Sequence, residues 1–169
     1  MPSFFSTIFG RAPAPKWTPQ SAGAARDALL AINRSTAPFV VRPGGAEEAE
    51  LVAEWRIADA GWHEIFARAN VERTVKVLMR LDAAAKEVRA ADQEWSVEWR
   101  DGAPSLSLAV TAFRPPNTEL VSGKPYGFTE TVGAGEINYR FTTAELKGPL
   151  QRAVTGQGWL WRSVAFGKL

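Results

Sequence analysis

The sequence predicts an α+β fold: a predominantly antiparallel β meander forming a curved sheet or partly closed barrel, with one helix before it and a helix followed by a final strand after it. Three observations predict this. Apolar residues alternate with polar ones at period two through much of residues 53–110. Turn residues separate these runs by only a few positions, and consecutive strands joined by short turns pair as antiparallel neighbours. Helical spacing is confined to stretches near the two ends and one short segment between. A sheet with one apolar face then needs helices to cover it.

Residues 1–16 stand apart from residues 17–169, which are read as a single domain. Phe4, Phe5, Ile8 and Phe9 recur at i, i+1, i+4, i+5, with Ser3 as a cap and Gly10 as a stop. The stretch Ala12-Pro13-Ala14-Pro15 follows as a stiff linker. Two helical turns do not hold in water without a surface to pack on. The expected roles of this stripe are contact with a protein partner, self-association or docking on a membrane surface.

Thr18 and Pro19 read as cap and first residue of a helix whose apolar positions Ala22, Ala25, Leu29 and Ile32 run to about Asn33. Phe39 to Val41 is a short strand, and Pro43-Gly44-Gly45 a turn. Ala53, Trp55 and Ile57 share one strand face, opposed by Glu54 and Arg56. Trp62, Ile65, Phe66 and Ala69 fall at helical spacing. Val75, Val77, Met79 and Leu81 form the clearest strand alternation. Residues 82–92 have helix propensity, yet lie between strand patterns, so a turn at the alanines and a further strand is the expectation.

Trp95, Val97 and Trp99 alternate with Ser96, Glu98 and Arg100, and Asp101-Gly102 is a hairpin turn leading into Leu106, Leu108 and Val110. A loop is expected from Pro115 to about Pro125, then a hairpin of 127–132 and 136–141. Thr142 and Glu145 have capping-box spacing ahead of Leu146, Leu150, Ala153 and Val154. Gly148-Pro149 is expected to break that helix into a turn and a second helix. Residues 159–166 close the fold as a strand.

Composition excludes much familiar chemistry. There is no cysteine, hence no disulfide, thiolate metal site or thiol nucleophile. His63 is the single histidine and no Gly-x-Ser-x-Gly elbow exists, so no catalytic residue is assigned. Glu47, Glu48 and Glu50 lack metal-loop spacing, and the glycine pairs 133/135 and 156/158 lack phosphate-binding context, so neither metal nor cofactor is expected. Arg56, Arg73, Lys76, Arg80, Lys86, Arg89 and Arg100 are interleaved with Glu54, Glu72, Glu87, Glu94 and Glu98, a pattern of solubility rather than nucleic-acid binding.

No apolar run is long enough to span a membrane and the first residues do not read as a signal peptide. The expected location is cytoplasmic, with peripheral membrane contact through the N-terminal stripe.

Seven tryptophans are the compositional excess. The leading expectation is a non-enzymatic β-rich binding domain recruiting a protein or membrane partner through Phe4, Phe5, Ile8 and Phe9. A second is a barrel in which Trp55, Trp95, Trp99, Trp159 and Trp161 line a pocket for a small apolar molecule or lipid. A third is a carboxylate-dependent hydrolase.

Overall fold

Ser21, rather than Thr18, caps the first helix: its Oγ accepts from the Ala24 amide, and α1 runs Ala22–Leu30. This computed structural model describes residues 18–113, 127–165 and 168–169. The N-terminal segment 1–16, with Phe4, Phe5, Ile8 and Phe9, lies outside the described residues, as does the loop expected over 115–125.

Five strands follow in meander order: β1 (Phe39–Pro43), β2 (Leu51–Trp55), β3 (Arg73–Asp82), β4 (Glu87–Arg100) and β5 (Ala103–Phe113), each antiparallel to the last. Gly44 sits in the β1–β2 loop because a Cβ there would lie 1.9 Å from the Ala49 carbonyl oxygen. The strand expected through Ile57 stops at Trp55. Residues Arg56–Ala58 form a 3-10 turn, yet Ile57 is still buried. A second such turn, Ala60–Trp62, leads into α2 (His63–Arg68). The ambiguous stretch after Asp82 is indeed a turn and a strand, whose Val88 and Ala90 are buried.

β6 (Phe128–Val132) and β7 (Gly135–Tyr139) form a separate two-stranded hairpin. α3 (Thr143–Gly156) and β8 (Leu160–Val164) follow. β8 runs parallel to Glu87–Ala91, the first part of β4, while β5 pairs with the later part. Among the described residues β4 is thus the one strand with three neighbours, which makes a six-stranded curved sheet that stays open.

Pairing in register sets two faces. Phe39, Val41, Leu51, Ala53, Trp55, Val75, Val77 and Met79 point into the core beneath α1 and α3. Arg42, Glu54, Lys76, Val52 and Leu78 point the other way, the last two meeting Ala49 and Leu169 in a small second cluster. The residues before α1 are tied to those after α3. The Gln20 amide donates to the Gln157 carbonyl at 2.9 Å, and Trp159 Nε1 donates to the Gln20 carbonyl at 2.7 Å.

α3 corrects the expectation of a break. It is one helix of 14 residues with Pro149 inside. Proline removes a hydrogen bond and crowds the carbonyl four residues back, at a cost of about 3 kcal/mol. Two features offset it: the capping box between Thr142 and Glu145, and complete burial of Leu146, Leu150 and Val154. Pro149→Ala should therefore raise stability by about 1–2 kcal/mol, the gain in the helix exceeding the lost restriction of the unfolded chain. A urea titration of the two proteins measures this; unchanged or lower stability means that the helix bends to accommodate the ring.

Candidate functional site

A groove of about 570 Å³ lies between the residues after α1, the β6–β7 hairpin and α3. Ile32 and Arg34 line it from the first, Ile137 and Tyr139 from the hairpin, and Glu145, Pro149, Arg152 and Ala153 from the helix.

Each wall is held by identifiable bonds. Asn33 accepts from the Val41 amide at 2.7 Å and donates to its carbonyl at 2.8 Å. Arg56 donates to the carbonyls of Ala37 and Arg34 at 2.8 and 3.1 Å. Together they fix the turn that carries Arg34.

The hairpin would be marginal by itself. Period-two alternation puts Phe128, Glu130, Val132, Ile137 and Tyr139 on one face. Phe128 meets Trp62 edge to face at 5.2 Å, and Tyr139 meets Trp55 at 6.0 Å. Phe141, just after, holds a left-handed φ of 61°, and its ring is buried against Trp55 and Phe66. Ring burial there offsets a backbone cost of order 1–2 kcal/mol.

Glu130 is the centre of the attachment. Its side chain is fully buried and accepts from Arg34 Nε and Nη2 at 2.9 Å each, Thr36 Oγ1 at 2.7 Å and the Tyr139 hydroxyl at 2.8 Å. The Arg34 hydrogen bonds, with those of Thr36 and Tyr139, hold its carboxyl down at about 2 against the opposing effect of burial. Burial and the bonded carboxylate push the Tyr139 phenol up, so the hydroxyl stays a donor.

The groove's own chemistry is what these bonds leave over. The Glu145 carboxylate is committed to the amides of Arg140 and Thr142. Among the described residues Arg34 Nη1 has only a 3.5 Å contact, to the Ile32 carbonyl. Arg152 is exposed on α3, with its guanidinium over Gly148 and no side-chain partner among the described residues. Val132 and Ile137, 38% and 39% exposed, are two of the three large exposed hydrophobics among the described residues, and both lie on the inward hairpin face. The result is an apolar trough with guanidinium donors on opposite walls.

The expected site residues fall elsewhere. Trp55 and Trp159 are inside the core, while Trp99 and Trp161 pack against it. Trp161 pairs with Val88, and Trp99 is eleven residues further along β4, roughly 36 Å away at strand rise. Trp99 donates to the Val71 carbonyl at 2.7 Å. Trp95 lies beneath Lys76 Nζ, 4.1 Å from its ring centre, on the sheet's other face. The groove lining contains none of the five.

Carboxylates also converge around a cation: Glu47 and Glu54 both bind Arg42, at 2.5 and 2.9 Å. Those bonds hold Glu47 down at about 2, which suits an ion pair and not a proton donor. His63 opens α2, its Nε2 buried without a hydrogen-bond partner among the described residues.

Fold and groove together define a class: an open, predominantly antiparallel sheet backed by two helices, with a preformed trough at the hairpin. Compared with known proteins, the chain matches no family model, no curated protein and no solved structure. No helix among the described residues is long and apolar enough to cross a membrane.

Proposed function

We propose that this chain is a non-enzymatic binding domain and that the groove receives a segment of a protein partner in which a carboxylate is flanked by apolar side chains. The observation that carries the reading is the pairing of exposed Ile137 on the hairpin wall with Arg152 on the facing helix, whose guanidinium has no partner among the described residues. Exposed apolar surface beside an unpaired guanidinium matches peptide recognition, in which apolar anchors supply affinity and a bidentate ion pair fixes orientation. A non-catalytic role is supported by the convergent carboxylates Glu47 and Glu54, and the buried Glu130 elsewhere, each being tied to an arginine. The stripe of Phe4, Phe5, Ile8 and Phe9 is proposed as a second recruiting element, on its spacing alone.

Panning a displayed library of random peptides against the full chain tests the groove. Selected peptides should combine an acidic residue with aliphatic or aromatic neighbours. Arg152→Glu and Ile137→Asp should each weaken them by at least about tenfold, with Arg100→Glu as a neutral control. Binders indifferent to both groove substitutions would overturn the assignment.

A further inference from the structure

In the six-stranded sheet, three strands leave an edge that no other strand covers among the described residues: β1, β8 and β5. Sheet edges present unsatisfied backbone groups and natural proteins blunt them. β1 is blunted, because Asn33 bonds both the amide and the carbonyl of Val41. β8 is five residues long and carries Arg162. β5 is eleven residues long and contains no charged side chain.

The turn before β5 sets which of its backbone groups face outward. Asp101 and Gly102 have φ of 53° and 77°, a two-residue hairpin turn of the primed type. In such a hairpin the flanking residues, Arg100 and Ala103, are the hydrogen-bonded pair, and pairing is regular from there to Trp95 and Leu108. Ala103, Ser105 and Ser107 therefore turn their amides and carbonyls toward β4. Leu106 and Leu108 turn theirs outward, as does Pro104 with a carbonyl alone. Leu108 is also the third large hydrophobic left exposed, at 47%.

We propose that the outer edge of β5 is a dimerisation seam, at which a second copy of this chain pairs antiparallel about a two-fold axis through Ser107. A second copy fits because the edge is self-complementary in that register. Leu106 falls opposite Leu108 of the partner subunit as a hydrogen-bonded pair, and the symmetry repeats the exchange. Leu106 meets Leu108 on one face, Ser107 meets its own symmetry mate on the other, and no like charges are brought together. The core of the seam is Leu106 to Leu108, where β5 is regular; Pro104, which lacks a donor, lies toward one end, and the register shift of β5 against β4 follows Leu108. Two open sheets become one continuous sheet, with each groove left accessible.

The native chain has no cysteine, which makes the register directly testable. Ser107 and its symmetry mate form a non-hydrogen-bonded pair with Cα atoms about 4.5 Å apart, within disulfide range. The two copies of Ser105 are offset by four residues, about 13 Å, which is out of range. Sedimentation equilibrium of the full chain should show a monomer–dimer equilibrium, and Leu108→Lys, at an exposed position, should shift it to monomer with an unchanged circular dichroism spectrum. Under mild oxidation Ser107→Cys should form a covalent dimer and Ser105→Cys should not. A chain that sediments only as monomer overturns the proposal, as does a dimer indifferent to Leu108→Lys or one that Ser105→Cys crosslinks as readily as Ser107→Cys.

Discussion

Lys147→Met should lower the stability of this protein by about 3–5 kcal/mol, and adding Asp92→Leu should restore most of the loss. Lys147 Nζ lies 2.8 Å from Asp92 Oδ2 between α3 and the sheet, with side-chain exposures of 7% and 3%. Two charges this deep are desolvated at large cost, and the attraction between them does little more than offset it. Removing one strands the other, whereas removing both substitutes apolar contact for the pair. Urea unfolding of the single and double variants separates the cases, with a melting temperature lower by on the order of 10 °C expected for the single variant. Single-variant losses below about 1 kcal/mol would mean that water reaches the pair.

Glu130→Gln should be the second most damaging change, at about 2–3 kcal/mol. The figure is set below that for a fully buried pair because Arg34 is 34% exposed. The isosteric amide keeps the volume but loses the charge that Arg34, Thr36 and Tyr139 address. Damage should be local: amide exchange in residues 128–139 should accelerate far more than in β3.

The pH dependence has a definite sign. The folded carboxyl of Glu130 is depressed from 4.5 to about 2, so its stabilising contribution is complete above about pH 4.5 and disappears as pH falls toward 2. Glu47 acts in the same direction over the same interval. Glu130→Gln should accordingly flatten the acid limb of the stability profile. An unchanged limb would show that other carboxylates govern it.

The meander was legible from period two and from Asp101-Gly102, because alternation and turn chemistry are local. The run through Ile57 misled because burial of Ile57 satisfies the same pattern in a 3-10 turn. Pro149 misled because its penalty is local while the burial that outweighs it is tertiary. The buried ion pairs that hold the hairpin and α3 have a trace in the sequence, which is charge at an inward position. Glu130 is in phase with Phe128 and Val132, Asp92 with Val88 and Ala90, and Lys147 with Leu146, Leu150 and Val154. A charge at an inward position calls for a buried partner. Which partner it finds is not local: Arg34 is 96 residues from Glu130.

β4, with neighbours on both sides, has a consequence for the order of assembly. Its pairings with β3 and β5 close loops of a few residues and can form as soon as those strands meet. Its pairing with β8 joins Glu87 to Leu160 across 73 positions, and the entropy of closing so long a loop is lost before any contact rewards it. The first part of β4 therefore waits with one side uncovered until α3 and β8 arrive. During that interval the nascent sheet carries a second exposed edge, and the speed with which α3 docks decides how long it persists.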